Sequence, residues 1–158
     1  MTITVTSTAF KADAPIPQKY TGEDADVSPP LAWSGVPVEA KQLALICDDP
    51  DAPRAEPWVH WVLYDVPPHT SALPEGVPAK ESLNDPKGAR QGTNDFGKAG
   101  YGGPMPPRGH GAHHYHFRLY ALDTVLKLPA KATKKQLLDA MRGHILAEGE
   151  LTGTYERK

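Results

Sequence analysis

The chain holds a single cysteine, Cys47, so no internal disulfide can form. It has no excess of one charge: 17 Lys and Arg face 19 Asp and Glu, for a formal net charge of −2. Neither half carries a basic stripe, which excludes the positive footprint that nucleic-acid binding needs. No apolar run approaches the roughly 18–20 residues required to cross a bilayer, so membrane insertion is not expected. The opening MTITVTSTAF lacks a basic and then apolar leader, so no secretory signal is expected and a cytoplasmic location is. The G-x-S-x-G elbow, the Walker A loop and G-x-G-x-x-G do not occur. Cys47 sits in an apolar run and reads as a buried, inert thiol.

Proline is abundant instead. Seventeen prolines and 14 glycines are spread along the whole chain. Spread this way, they punctuate many short strands rather than mark one linker. Strand patterns fall at Ile3 to Thr8, Leu31 to Trp33, Leu43 to Cys47, Val59 to Val66 and His113 to Leu122. The run 43–47 is continuously apolar, as in a strand buried on both faces. In the last strand a period of two places His113, Tyr115, Phe117 and Leu119 inward, and His114, His116, Arg118 and Tyr120 outward. Residues 69–112 show no clear periodicity, and a loop of that length is often functional. One helix is expected: Thr133 and Gln136 form a capping box, and Leu137, Leu138, Met141, Ile145 and Leu146 make a helical stripe. Gly149 is its expected terminator and Leu151 to Tyr155 the expected final strand. The length suits one domain over residues 1–158.

Two segments concentrate chemistry. In DDPDAPRAEPWVHW (48–61), a strand delivers Asp48, Asp49 and Asp51 into a loop stiffened by Pro50 and Pro53, and His60 follows between Trp58 and Trp61. An EF-hand is excluded, because its glycine and distal glutamate are missing. In GYGGPMPPRGHGAHHYHF (100–117), glycines able to expose backbone N–H groups precede the inward His113 and Tyr115. Taken alone, each segment is explained as well by an ordinary turn beside a core histidine as by a site. His114 and His116 share a strand face at a spacing zinc sites use, but no third ligand is identifiable, so an exposed histidine pair is the expectation and no metal or other cofactor is assigned.

Together, DPDAP then W-x-H, Y-x-G, PP-x-G and G-x-H-x-Y, with SPPLAW (28–33), YGGPMPP and YALD (120–123), resemble the phosphatidylethanolamine-binding proteins, also called Raf kinase inhibitor proteins, in their bacterial and archaeal branch. The resemblance covers about Thr6 to Tyr155. It implies a mainly β fold, an antiparallel β-sandwich with one or two short helices and a small pocket for phosphate, phosphorylated head groups or acetate-like anions. Carried over by position, the pocket residues are Asp49, Trp58, His60, Gly103, Met105, Pro107, His113 and Tyr115. Pro106 pairs with Pro107, while Asp51 and Pro53 shape the loop. Met105 departs from the glycine or cysteine of other members, and its side chain is expected to narrow the pocket. No stretch after Tyr155 matches the C-terminal helix that edges the pocket of animal members. That implies a more open mouth, or one shaped by a second subunit in a homodimer. The resemblance also places cis prolines around this loop, so a cis bond is expected before Pro53 or within Pro104 to Pro107.

The reading is therefore of a protein that recognises a small anion, phosphate or a phosphomonoester, rather than turning over a substrate. Asp49 would repel a free dianion and is expected to orient a histidine or share a proton with the ligand. The alternatives are an inhibitor with a kinase or protease as its protein partner, and a weak hydrolase with His113 or His60 as base.

Overall fold

The computed structural model describes residues 2–158. Nine strands form two sheets, with one α-helix among the described residues. In chain order the strands are β1 (Thr4–Thr6), β2 (Leu31–Ser34), β3 (Gln42–Asp49), β4 (Trp58–Val66), β5 (Ala72–Leu73), β6 (Ser82–Asn84), β7 (Lys87–Gln91), β8 (His113–Leu122) and β9 (Ile145–Tyr155). A short 3-10 helix covers Gln18–Tyr20, and α1 (Lys134–Met141) lies between β8 and β9. The small sheet has the order β1-β2-β5 and the large one β6-β7-β4-β3-β8-β9, all pairs antiparallel.

Alternation along β3 explains how the layers stack. Leu43, Leu45 and Cys47 join Trp61, Leu63, Phe117 and Leu119 in a core shared with Val5, Leu31, Trp33 and Leu73 of the small sheet. Ala44 and Ile46 point the other way, into a second core with Val62, Tyr64, Leu122, Leu126, Leu137 and Met141. The continuously apolar sequence of β3 is thus the signature of a strand covered on one face by a sheet and on the other by α1 and the segment before it. Asp48, at its end, is 1% exposed and is neutralised by Arg118 at 2.8 Å and by Lys134 at 2.6 Å, which ties the start of α1 to the sheet.

The helix is shorter than its apolar stripe implies. The capping box is present, with the Gln136 N–H donating to Thr133 Oγ1 at 3.2 Å and the Thr133 N–H to Gln136 Oε1 at 2.9 Å. The helix then stops at Met141, because Gly143 adopts φ 81° and turns the chain back toward the free edge of β8. Ile145 consequently pairs with Leu122 in β9, and Gly149 ends nothing: it lies within that strand opposite Leu119. Residues 69–112 are likewise not one loop, since they contain the short strands β5, β6 and β7. The cis peptide found among the described residues is Asp85–Pro86, between β6 and β7; the bonds at Pro53, Pro104, Pro106 and Pro107 are trans. No described helix is long and apolar enough to cross a membrane.

Gly149 has a packing role. The Ile3 N–H donates to the Glu148 carbonyl at 3.0 Å, which seats the segment before β1 across β9, and a β-carbon on Gly149 would fall 2.0 Å from the Ile3 carbonyl oxygen. Gly149→Ala should therefore lower stability by about 1–3 kcal/mol, the usual cost of forcing an atom into a packed contact. Urea unfolding checks this, and an unchanged midpoint would show that the two layers separate more easily than this contact implies.

Candidate functional site

The last residues of β3 and the first residues of β4 and β8 lie at the same end of the large sheet, and their inward side chains meet there. A cavity of about 200 Å³ opens between them, lined by Asp49, Ala52, Pro53, Trp58, His60, Phe96, Met105, Pro106, Pro107, His113 and Tyr115. Seven of the eight positions expected from the sequence are thus brought together. Gly103 is the exception. Its N–H donates to Asp26 Oδ1 at 2.7 Å, and a β-carbon there would meet the Tyr20 carbonyl oxygen at 2.4 Å, so it seats the 100–107 loop against residues 20–26. Its neighbour Gly102 donates to the His60 carbonyl at 2.9 Å. These two loop N–H groups are used inside the protein rather than offered to an anion.

The three aspartates after β3 have separate tasks. Asp48 faces away, into the ion cluster with Arg118 and Lys134. Asp49 is 3% exposed; its Oδ1 accepts the Asp51 N–H at 2.8 Å and its Oδ2 accepts His113 Nδ1–H at 2.6 Å. The first bond is an Asx turn, which reverses the chain by side-chain hydrogen bonding and leaves no need for a cis proline at this corner. Asp51 accepts both the N–H and the Nδ1–H of His114, and although partial burial opposes it, those bonds hold the carboxyl below its ordinary value. His116 is engaged by Glu150 at 2.9 Å, so His114 and His116 each have a carboxylate of their own, and no cluster of three metal-ligating side chains exists among the described residues.

The tautomers of the cavity follow from these partners. A carboxylate at Nδ1 makes neutral His113 a lone-pair acceptor at Nε2, where His110 Nδ1 lies 2.6 Å away and donates. His60 Nδ1 lies 2.6 Å from the Gly102 carbonyl, which only accepts, so the proton of His60 is on Nδ1 and Nε2 bears a lone pair. Burial lowers the pKa of His60 from 6.5, outweighing the Gly102 bond and the more distant aspartates. The Tyr115 hydroxyl and the Trp58 indole N–H are buried with no partner. Burial, aided by the Asp49 carboxylate, pushes the Tyr115 phenol well up from 10. The aromatic walls meet edge to face: His60 with Tyr115 at 5.1 Å and with Phe96 at 5.5 Å, Trp58 with Phe96 at 5.4 Å.

Phe96 and His110 escaped the sequence reading. Phe96 lies in an aperiodic turn organised by Asn94, whose Oδ1 accepts the N–H groups of Phe96 and Lys98 at 2.9 and 3.2 Å. His110 belongs to no motif; the signal of its special place is its glycine flanks, Gly109 and Gly111, at φ 72° and 85°. The segment after β9 braces the loop that supplies Pro106 and Pro107. Arg157 accepts the Gly109 N–H on its carbonyl at 3.0 Å and donates to the Pro106 carbonyl at 3.3 Å. A larger groove of about 520 Å³ runs between α1 and residues 54–59 and 93–95. There Arg54 pairs with Asp95, and both Lys135 and Arg142 with Asp139, whereas the smaller cavity holds two buried polar side-chain atoms without partners.

Comparison with known proteins agrees with this fold. The family described as phosphatidylethanolamine-binding protein matches residues 6–156. A UPF0098 protein of Methanothermobacter thermautotrophicus is 53% identical over 149 residues, covering 94% of this chain and 95% of its own. The crystal structure of Escherichia coli YbcL, described as a new member of the mammalian PEBP family, superposes with a TM-score of 0.92 at 34% identity over 100% of both chains. That of a putative phosphatidylethanolamine-binding protein homolog from Chlamydia trachomatis gives 0.88 at 45% identity over 99% of both.

His60 makes stability depend on pH. Its folded pKa lies below the 6.5 of the unfolded chain, so below that pH the unfolded state binds a proton that the fold resists. Stability should be full above pH 6.5 and decline as pH falls toward the folded pKa, with the loss smaller in His60→Gln. Urea midpoints from pH 7.5 to 5 in both proteins test it; parallel curves would show that His60 is not the group responsible.

Proposed function

Because this chain belongs to the phosphatidylethanolamine-binding protein family, we propose that it works by recognition, holding a phosphate-like oxyanion in the cavity where β3 ends and β4 and β8 begin. One observation carries this reading: the Tyr115 hydroxyl and the Trp58 N–H are both buried without partners in the wall of the same cavity. A buried donor left unmet costs about 1–3 kcal/mol, so two in one wall mark a place where an outside acceptor is accommodated. The volume, about 200 Å³, is below the ~300 Å³ at which drug-sized pockets begin and suits a small oxyanion group.

Other features support recognition over turnover. No serine, threonine or cysteine lines the cavity among the described residues, and Cys47 is 1% exposed in the core with its thiol pushed up by burial. The lone pair of His113 is already occupied by His110. No lysine or arginine lines the wall either, so binding rests on neutral donors and should be weak, on the order of 1 mM.

Titration calorimetry with inorganic phosphate is the direct test. Tyr115→Phe removes a hydroxyl that has no protein partner, so the variant should fold as stably as the parent and bind phosphate about tenfold more weakly. Equal affinity in parent and variant, or no heat from the parent at tens of millimolar phosphate, would overturn the reading.

A further inference from the structure

Besides groups that can donate, the cavity presents one side-chain atom that can only accept, and that asymmetry restricts the ligand. We infer that the site selects an oxyanion carrying its own proton, so that singly protonated phosphomonoesters are its ligand class and phosphodiester head groups are not. The inference rests on the anion-binding reading above and adds the protonation state and the ester class.

The acceptor is His60 Nε2. The Gly102 carbonyl holds the ring proton on Nδ1 at 2.6 Å, which leaves the lone pair of Nε2 directed away from the loop. The ring is 3% exposed, packs against Tyr115 and Phe96, and has no carboxylate bonded to it, so burial outweighs the Gly102 bond and the more distant aspartates that favour an added proton. Burial accordingly lowers its pKa. The other polar side chains of the wall do not change this balance. Both oxygens of Asp49 are taken, by His113 and by the Asp51 N–H. Both nitrogens of His113 are taken, by Asp49 and by His110. Pro106 and Pro107 have no N–H to offer. Among the polar side-chain atoms, what remains is the Trp58 N–H, the Tyr115 hydroxyl and the His60 lone pair.

A fully deprotonated oxyanion has only lone pairs. Set between these groups it satisfies the two donors but meets His60 lone pair to lone pair, and it adds its full charge to a wall whose formal charge is the Asp49 carboxylate. An oxyanion with one O–H pairs all three groups: two oxygens accept from Trp58 and Tyr115, and its hydroxyl donates to His60 Nε2. A phosphodiester has the right single charge but no hydroxyl. A site built to pair a hydroxyl rejects an analogue that lacks it far more strongly than it senses size, because its own buried group is left unmet.

The experiment compares ligands matched in shape and charge by calorimetry at pH 6, near the second pKa of a phosphomonoester, about 6. Methylphosphonate as its monoanion has one P–OH; methanesulfonate has the same shape and single charge and no proton. Methyl phosphate and dimethyl phosphate form the ester pair. The expected result is that methylphosphonate and methyl phosphate bind at least about tenfold more tightly than methanesulfonate and dimethyl phosphate. In His60→Phe, which removes the acceptor and keeps a ring, the phosphonate-to-sulfonate ratio should fall toward unity. Equal binding of phosphonate and sulfonate by the parent protein would overturn this inference and leave the anion-binding reading standing. Absence of binding by all four ligands would overturn both.

Discussion

A buried carboxylate must find a partner or surrender its charge, and at the end of β3 the partner of Asp49 is His113. That 2.6 Å bond spans 64 positions of sequence and joins the last residue of β3 to the first residue of β8, its neighbour in the sheet. It sets the tautomer of His113, and through it the direction in which His110 donates. It also fixes Asp49 so that its other oxygen can form the Asx turn that brings Pro53 and Trp58 back over the sheet. The cavity is the space left by this one pairing and the aromatic rings arranged about it.

Much of this was legible in the residues. Period-two alternation in 113–122 placed His113 and Tyr115 inward, and both are 1% exposed; the bounds of β8 also agree with the expected strand. The apolar run of β3 announced two-sided burial because each face has its own core to enter. The helix end was not legible, because Ile145 and Leu146 continue an apolar stripe while Gly143 decides the chain's direction by its backbone alone. A hydrophobic pattern records which side chains are buried, not which element buries them.

The site shows the same division. Motif spacing gathered Asp49, Trp58, His60, Met105, Pro107, His113 and Tyr115, but could not tell which of their atoms are free. That depends on backbone groups and on neighbours with no motif of their own: the Gly102 carbonyl at His60, His110 at His113, Phe96 against both Trp58 and His60. Gly103 illustrates the limit, since a glycine in a loop reads equally as a nest for an anion and as a point of close backbone approach, and here Asp26 and Tyr20 occupy its surroundings. Composition specifies the donors; tertiary contacts specify which of them are spent.

Gly22, which does not line the cavity, governs the space available to a residue that does. Met105 rests its thioether over Gly22, where a β-carbon would come within 2.3 Å of Met105 Cγ and 2.8 Å of Sδ. The backbone at this corner is held by the Gly22 N–H donating to the Pro104 carbonyl at 3.0 Å, so the flexible side chain is the part that yields. A larger residue at position 22 would push the thioether off its seat, and one direction open to it is the cavity mouth. Positions 22 and 105 are therefore a coupled pair: bulk gained at one is accommodated by bulk lost at the other. The size of the chamber can drift through a residue outside it, while the donors and the acceptor keep their places.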